Sequence, residues 1–180
     1  MKVLSVNIGE RKKVIWREKE IETGIYKFPV DAPIFLGQEI VKGDTIVDTK
    51  HHGGIEQAVY GYSEKHYGYF KKLHPDLDWN YGMFGENITF SELNEEEILI
   101  GSTYQLGECK LEVTKPRQPC YKLGIRFNNP IIIKQFWETT MSGIYFKILE
   151  TGFVKKGDEL ILIEESKETF TIAQLYESKK

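Results

Sequence analysis

Hydrophobic positions along this chain fall in short runs broken by glycine, proline and small polar residues, the pattern of a strand-rich protein. Residues 3–8 form an apolar-rich run that reads as a buried strand. A weaker run covers 14–16, and Pro29-Val30 with Asp31-Ala32-Pro33 breaks the pattern as a loop. One local unit recurs at 41–48, 99–106 and 155–162: glycine plus a small polar residue marks a turn, and an alternating strand follows. Three such units predict chain reversals gathered at the rims of a barrel or curled sheet. Their irregular spacing excludes a solenoid. Ser63 is placed to cap a helix that runs to Leu73 and ends before Pro75. Asn129-Pro130 opens a second helix, with Ile132, Ile133, Phe136, Trp137 and Thr140 as its apolar face and Gly143 as its stop. Residues 144–149 return as a strand. Beyond Glu164 the chain turns polar, with one short helix near 171–176. The pattern therefore predicts a single domain over 1–163 and a short tail, 164–180.

Composition narrows the function classes. A length of 180 residues suits one compact domain, and 41% hydrophobic with 13% aromatic residues is enough for a core. A net charge of −3 argues against a general nucleic-acid binder. No apolar run approaches the ~20 residues of a membrane span, and the first ten residues lack the apolar centre of a signal peptide. Two cysteines, Cys109 and Cys120, make neither a disulfide framework nor a self-sufficient zinc or iron–sulfur site. A cytoplasmic chain with reduced thiols is expected. A P-loop, a dinucleotide-binding glycine motif, a nucleophile elbow, an EF-hand loop and a zincin helix are all absent.

Four segments carry candidate chemistry. In Lys-Pro-Arg-Gln-Pro-Cys-Tyr-Lys-Leu (115–123), two prolines flank Arg117 and stiffen the backbone before Cys120. Arg117, Lys115 and Lys122 would favour the thiolate; a buried structural cysteine is the plain alternative. Cys109, in an alternating strand, reads as core. In His51-His52-Gly53-Gly54, the glycines allow close backbone approach and offer N–H groups to an anion, against the plain reading of a hairpin turn. In 82–88, Gly82 and Gly85 imply a tight loop, and Asn87 carries an amide able to read a heterocycle edge or to cap local backbone. In 23–29, Lys27 precedes Pro29 by two residues as a point charge for phosphate or a solvated lysine.

Taken in order, these segments closely resemble the MOSC domain, the molybdenum cofactor sulfurase C-terminal type, and its YiiM-like branch above all. His-His-Gly-Gly-Ile-Glu-Gln-Ala-Val-Tyr-Gly-Tyr, Phe-Gly-Glu-Asn-Ile and Pro-Arg-Gln-Pro-Cys-Tyr-Lys-Leu carry the resemblance, which spans about 3–163. It implies an α+β fold, mainly β: a strongly curved mixed β-barrel of the pyruvate-kinase-barrel kind with a few peripheral helices. It implies binding of the molybdenum cofactor (molybdopterin), with Cys120 as molybdenum ligand or sulfur carrier. Arg117 would stabilise thiolate and cofactor charge, and Lys27, His52, Gly53, Gly54, Gly85 and Asn87 would lie near the cofactor. Pyridoxal phosphate binding is a further expectation at family level. The implied activity is reduction of small N-hydroxylated compounds to amines with electrons from a separate reductase. The alternative is a delivery module carrying a persulfide on Cys120. No nucleic acid or membrane partner is implied.

Overall fold

The structure, a computed structural model, describes residues 1–45, 47 and 53–180. Its strands are β1 (Val3–Gly9), β2 (Lys12–Trp16), β3 (Lys19–Thr23), β4 (Lys27–Pro29), β5 (Ile34–Leu36), β6 (Val59–Ser63), β7 (Ile88–Phe90), β8 (Thr103–Leu106), β9 (Cys109–Pro116), β10 (Ile144–Glu150), β11 (Gly152–Val154) and β12 (Leu160–Glu164). Eight of them form one mixed sheet in the order β12-β8-β9-β10-β6-β7-β1-β4. The β6–β7 pairing is parallel and the others in that sheet are antiparallel. Helices α1 (Glu64–Leu73), α2 (Tyr121–Arg126), α3 (Ile131–Trp137) and α4 (Ile172–Glu177) lie outside it.

The sheet curls strongly, but the expected closed barrel does not form. Among the described residues, the β12 end of the sheet meets the β1 side through one isolated bridge, Lys2 to Glu159. Around that bridge Val3 N–H donates to the Asp158 carbonyl (2.8 Å), Gly157 N–H to Val3 (2.9 Å) and Leu160 N–H to Met1 (2.8 Å). The reason lies in β1. One of its edges is taken by β7, so the other must serve both β4, through Asn7–Gly9, and residues 157–160. Too little edge remains for a full ladder.

Alternation along β6 feeds two cores. Val59 points into the aliphatic interior of the sheet with Val6, Ile88, Leu111 and Phe146. Tyr60 and Tyr62 point the other way, into an aromatic layer with Tyr67, Phe70, Phe84, Phe136 and Tyr176 under the helices. The expected helix after Ser63 is α1, although the Ser63 hydroxyl is buried and makes no capping bond among the described residues. Helix α3 follows Asn129-Pro130, with Asn129 Oδ1 accepting from Ile131 N–H at 3.1 Å. This helix ends at Trp137, before Thr140 and well before Gly143. Helix α2 is too short to show a period behind its prolines. The turn-and-strand units at 99–106 and 155–162 give β8 and β12, but that at 41–48 gives no strand among the described residues.

Within 164–180, Thr171 and Gln174 form a reciprocal capping box at the start of α4. Helix α4 buries Ile172, Ala173 and Tyr176. The Tyr176 ring stacks on Trp137, centroids 4.9 Å apart and planes 12° from parallel. Among the described residues, no helix is long and apolar enough to cross a membrane. Truncating the fully buried Tyr176 to Ala should cost about 3–5 kcal/mol, as for other large aromatics. Urea denaturation monitored by tryptophan fluorescence will show this as a lowered midpoint at unchanged slope.

Candidate functional site

Loops at one rim of the sheet converge on a cleft of about 640 Å³, part of it open to solvent. Lys27, Gly53, Gly85, Asn87, Arg117 and Cys120 all line it. These sequence-nominated residues come from segments far apart in the chain, and the fold brings them to one place. Gly54 is not among the lining residues; at φ 80 it opens a 3₁₀ turn over Ile55–Gln57. His52, with its neighbour His51, lies outside the described residues.

The centre of one wall is Asp44, which sequence reading had placed in a turn-and-strand unit. Its Oδ1 accepts from Gly9 N–H (2.9 Å), and its Oδ2 accepts from Asn87 Nδ2 (2.8 Å) and from the Lys27 ammonium. The Lys27 and Asp44 side chains are 9% and 2% exposed, so this is a buried ion pair. Burial holds Lys27 below its ordinary value against the opposing pull of Asp44. Lys27 is thus neutralised by a partner. Asn87 is engaged too: its amide also donates to the Asn7 carbonyl and accepts from Tyr60 N–H, each at 3.4 Å.

The glycine loop before Asn87 is built around a second buried carboxylate. Glu86 accepts from Gly82 N–H (2.8 Å), Phe84 N–H (3.1 Å), Thr89 Oγ1 (2.9 Å) and the Tyr67 hydroxyl. Burial still pushes its carboxyl above the ordinary value, against those donors. Gly82 adopts φ +86, and a Cβ there would meet the Lys27 carbonyl oxygen at 2.5 Å. Only glycine allows the loop to close on β4.

The opposite wall is the end of β9 and the start of α2. Arg117 is 5% exposed, with its guanidinium 5.2 Å from the Tyr60 ring centre and 5.9 Å from that of Phe136. Its Nη1 is buried and has no hydrogen-bond partner among the described residues. Burial opposes its charge, but the hydroxyls of Tyr60 and Tyr145 and the Cys120 thiol outweigh it and hold Arg117 cationic above its ordinary value. Cys120 is half-buried at the entry to α2, in extended backbone at φ −120 and ψ 169. Lys122, buried, lines the same cleft. Cys109 belongs to the aliphatic core, where burial pushes its thiol up to about 12. Among the described residues, no three His, Cys, Asp or Glu side chains gather as an ion-holding group.

Sequence reading missed Asp44, Glu86 and the two tyrosines. Asp44 stands in an ordinary Gly-Asp turn, and Glu86 inside a loop noted only for its glycines and Asn87. Tyr60 and Tyr145 look like strand residues.

The sequence profile of the MOSC domain matches residues 48–161. The chain belongs to the MOSC domain family. Three comparisons place this MOSC domain further. It is 34% identical to the uncharacterized protein YflK of Bacillus subtilis, over 94% of this chain and 76% of that one. It is 38% identical to a protein of Gibberella moniliformis named Reductase, over 81% of this chain but only 26% of that much longer one. The crystal structure of YiiM from Geobacillus stearothermophilus superposes with a TM-score of 0.79 at 29% identity, covering 97% of this chain and 81% of that one. That likeness bears out the YiiM-like branch.

Asp44→Asn would strand the Lys27 ammonium in a buried site, at a cost of about 3–5 kcal/mol. The pH dependence has a definite sign. Burial lowers Lys27 in the folded state, so the unfolded chain binds the extra proton between that lowered value and the ordinary 10.5. Stability from this group therefore rises with pH across that window. Without Asp44 the folded value drops further. Denaturation midpoints of the variant should thus begin to recover at a lower pH than in the parent.

Proposed function

We propose that this MOSC domain holds the molybdenum cofactor, a pterin dithiolene bearing a phosphate, in the cleft, and with it reduces N-hydroxylated compounds such as hydroxylamino-purines to amines. The observation that carries the reading is Arg117, a buried cation beside Cys120 with a donor that no described residue satisfies. A buried donor left without a partner costs about 1–3 kcal/mol, and an anionic ligand in the cleft would satisfy it.

The residues present fit this group. A thiolate is a soft ligand, suited to molybdenum already held by two dithiolene sulfurs, and Cys120 would supply it. Arg117 and Lys122 would hold phosphate or dithiolene charge, with backbone N–H groups of the Gly53-Gly54 segment; the Gly85 N–H is already given to the Gly82 carbonyl. Lys27 keeps ammonium hydrogens beyond the one given to Asp44. Asn87 would act through Asp44, fixing one wall of the cleft.

Bound there, the cofactor would supply the two-electron change in R–NH–OH + 2 e⁻ + 2 H⁺ → R–NH₂ + H₂O. The electrons would come from a separate reductase; the fungal relative named Reductase supports a reductive activity. On this chain, Lys27 Nζ would hold a proton for the departing hydroxyl, with Asp44 restoring its charge balance. Arg117 would keep Cys120 as thiolate.

The test is elemental analysis of anaerobically purified protein from a host that makes the cofactor, with oxidised-pterin fluorescence on the same sample. Near-stoichiometric molybdenum is expected in the parent and its loss in Cys120→Ala, with N-hydroxylated purines then turned over by the parent alone. Absence of both molybdenum and pterin overturns the reading. A persulfide mass on Cys120 without metal would replace it with sulfur delivery.

A further inference from the structure

A second feature of the molecule stands apart from the cofactor reading. Tyrosine and tryptophan rings form a continuous file from the cleft to a separate hollow on the surface. Tyr145 and Tyr60 line the cleft, their ring centres 5.1 Å apart. Tyr62 follows Tyr60 at 6.1 Å, and Tyr67 follows Tyr62 at 6.0 Å. From Tyr67 the file forks to Trp79 at 5.8 Å and Tyr81 at 5.7 Å. Tyr67, Trp79 and Tyr81 line the surface hollow together with Lys71. The file is laid down locally: Tyr60 and Tyr62 share one face of β6, and α1 then turns Tyr67 inward.

Packing alone does not account for the choice of residues. The neighbours in the same layer are Phe70, Phe84, Phe127 and Phe136, rings much harder to oxidise. At Tyr62, stacked 4.3 Å from Phe84, a phenylalanine would fill the same space. Its hydroxyl is buried without a hydrogen-bond partner among the described residues, a cost of about 1–3 kcal/mol that phenylalanine would avoid. The file also has a direction. The Arg117 cation over Tyr60 opposes positive charge on that ring. Tyr67 donates its hydroxyl proton to the Glu86 carboxyl, so that ring can lose an electron and shed its proton in place.

We propose that this file of rings drains oxidising equivalents from the cleft to the surface. A hydroxyl radical that reaches the cleft takes an electron from Tyr145 or Tyr60 and a proton from solvent, and becomes water. Electrons then step inward from ring to ring, so the deficit moves out through Tyr62, which keeps its proton and carries the charge as a transient cation radical because no acceptor faces its hydroxyl among the described residues, and through Tyr67 to Trp79 or Tyr81. The Tyr67 proton passes to Glu86 and returns. At the surface a small thiol refills the ring, losing one electron and one proton, and two such sulfur radicals join as a disulfide. The cleft thiol is thereby spared.

The test uses the intact chain in a Tyr121→Phe background, which removes the exposed phenol beside the probe. A ruthenium photosensitiser is attached to Cys120, Cys109 being inaccessible in the core, and is oxidised by flash-quench. Transient absorption and mass spectrometry locate the oxidation. The expected result is radical signal and product at Tyr67, Trp79 or Tyr81, lost in Tyr62→Phe and kept in Tyr69→Phe, which lies off the file. Tyr62→Phe should fold at least as stably as the parent, and a thermal melt checks that. Oxidation confined to Tyr60 and Tyr145, or unchanged outward yield in Tyr62→Phe, overturns the proposal.

Discussion

Lys27 can stand in the cleft only because Asp44 meets it there. A carboxylate so deeply buried needs every lone pair used. Asp44 takes a backbone N–H from the end of β1, the amide of the residue before β7, and the ammonium at the start of β4. These are three neighbouring strands at one rim of the sheet. The node thereby ties the rim together and sets the charge balance of the cleft. With Lys27 cancelled, Arg117 is left as a buried cation with a donor to spare. A cleft so arranged attracts an anion, whatever the rest of its ligand is.

The second constraint is the two-faced strand β6. A Cβ at Gly61 would meet the rings of Phe90 and Phe146 at 2.8 and 3.0 Å, so the aliphatic face accepts nothing larger there. The flanking Tyr60 and Tyr62 can then fill the opposite face without competition. This Tyr-Gly-Tyr alternation supports the Arg117 guanidinium from beneath and joins the cleft to the helices.

Much of this was legible in the residues, and what was not has physical causes. The apolar period marked α3, whose start was also marked by Asn129; α1 was marked by the stretch from Ser63 to Pro75, although the Ser63 hydroxyl makes no capping bond to it. The ordered glycine, histidine and cysteine segments marked the family, and through it the residues that share the cleft. Barrel closure was misread because period-2 patterning says nothing about how one strand divides its edge among partners. Asp44 was misread because a Gly-Asp turn looks the same whether its carboxylate faces water or a buried lysine. Glu86 was hidden for a similar reason: four donors converge on it only after the loop has folded. Charge burial is a property of the assembled rim, and no local pattern encodes it.

The seam between Met1–Val3 and residues 157–160 has a consequence for biosynthesis. These are among the contacts most distant in sequence that the domain makes, and bonds of that kind carry the largest loop-closure entropy. As the chain leaves the ribosome, β1 emerges ahead of its partners β4 and β7 and pairs with them before residues 157–160 are made. One stretch of its edge has no partner until residues 157–160 are made. During that interval the strand presents open backbone to solvent, the kind of edge that chaperones cover and that aggregates recruit. The final curl of the sheet is therefore a late event, completed only after residues 157–160 have been translated.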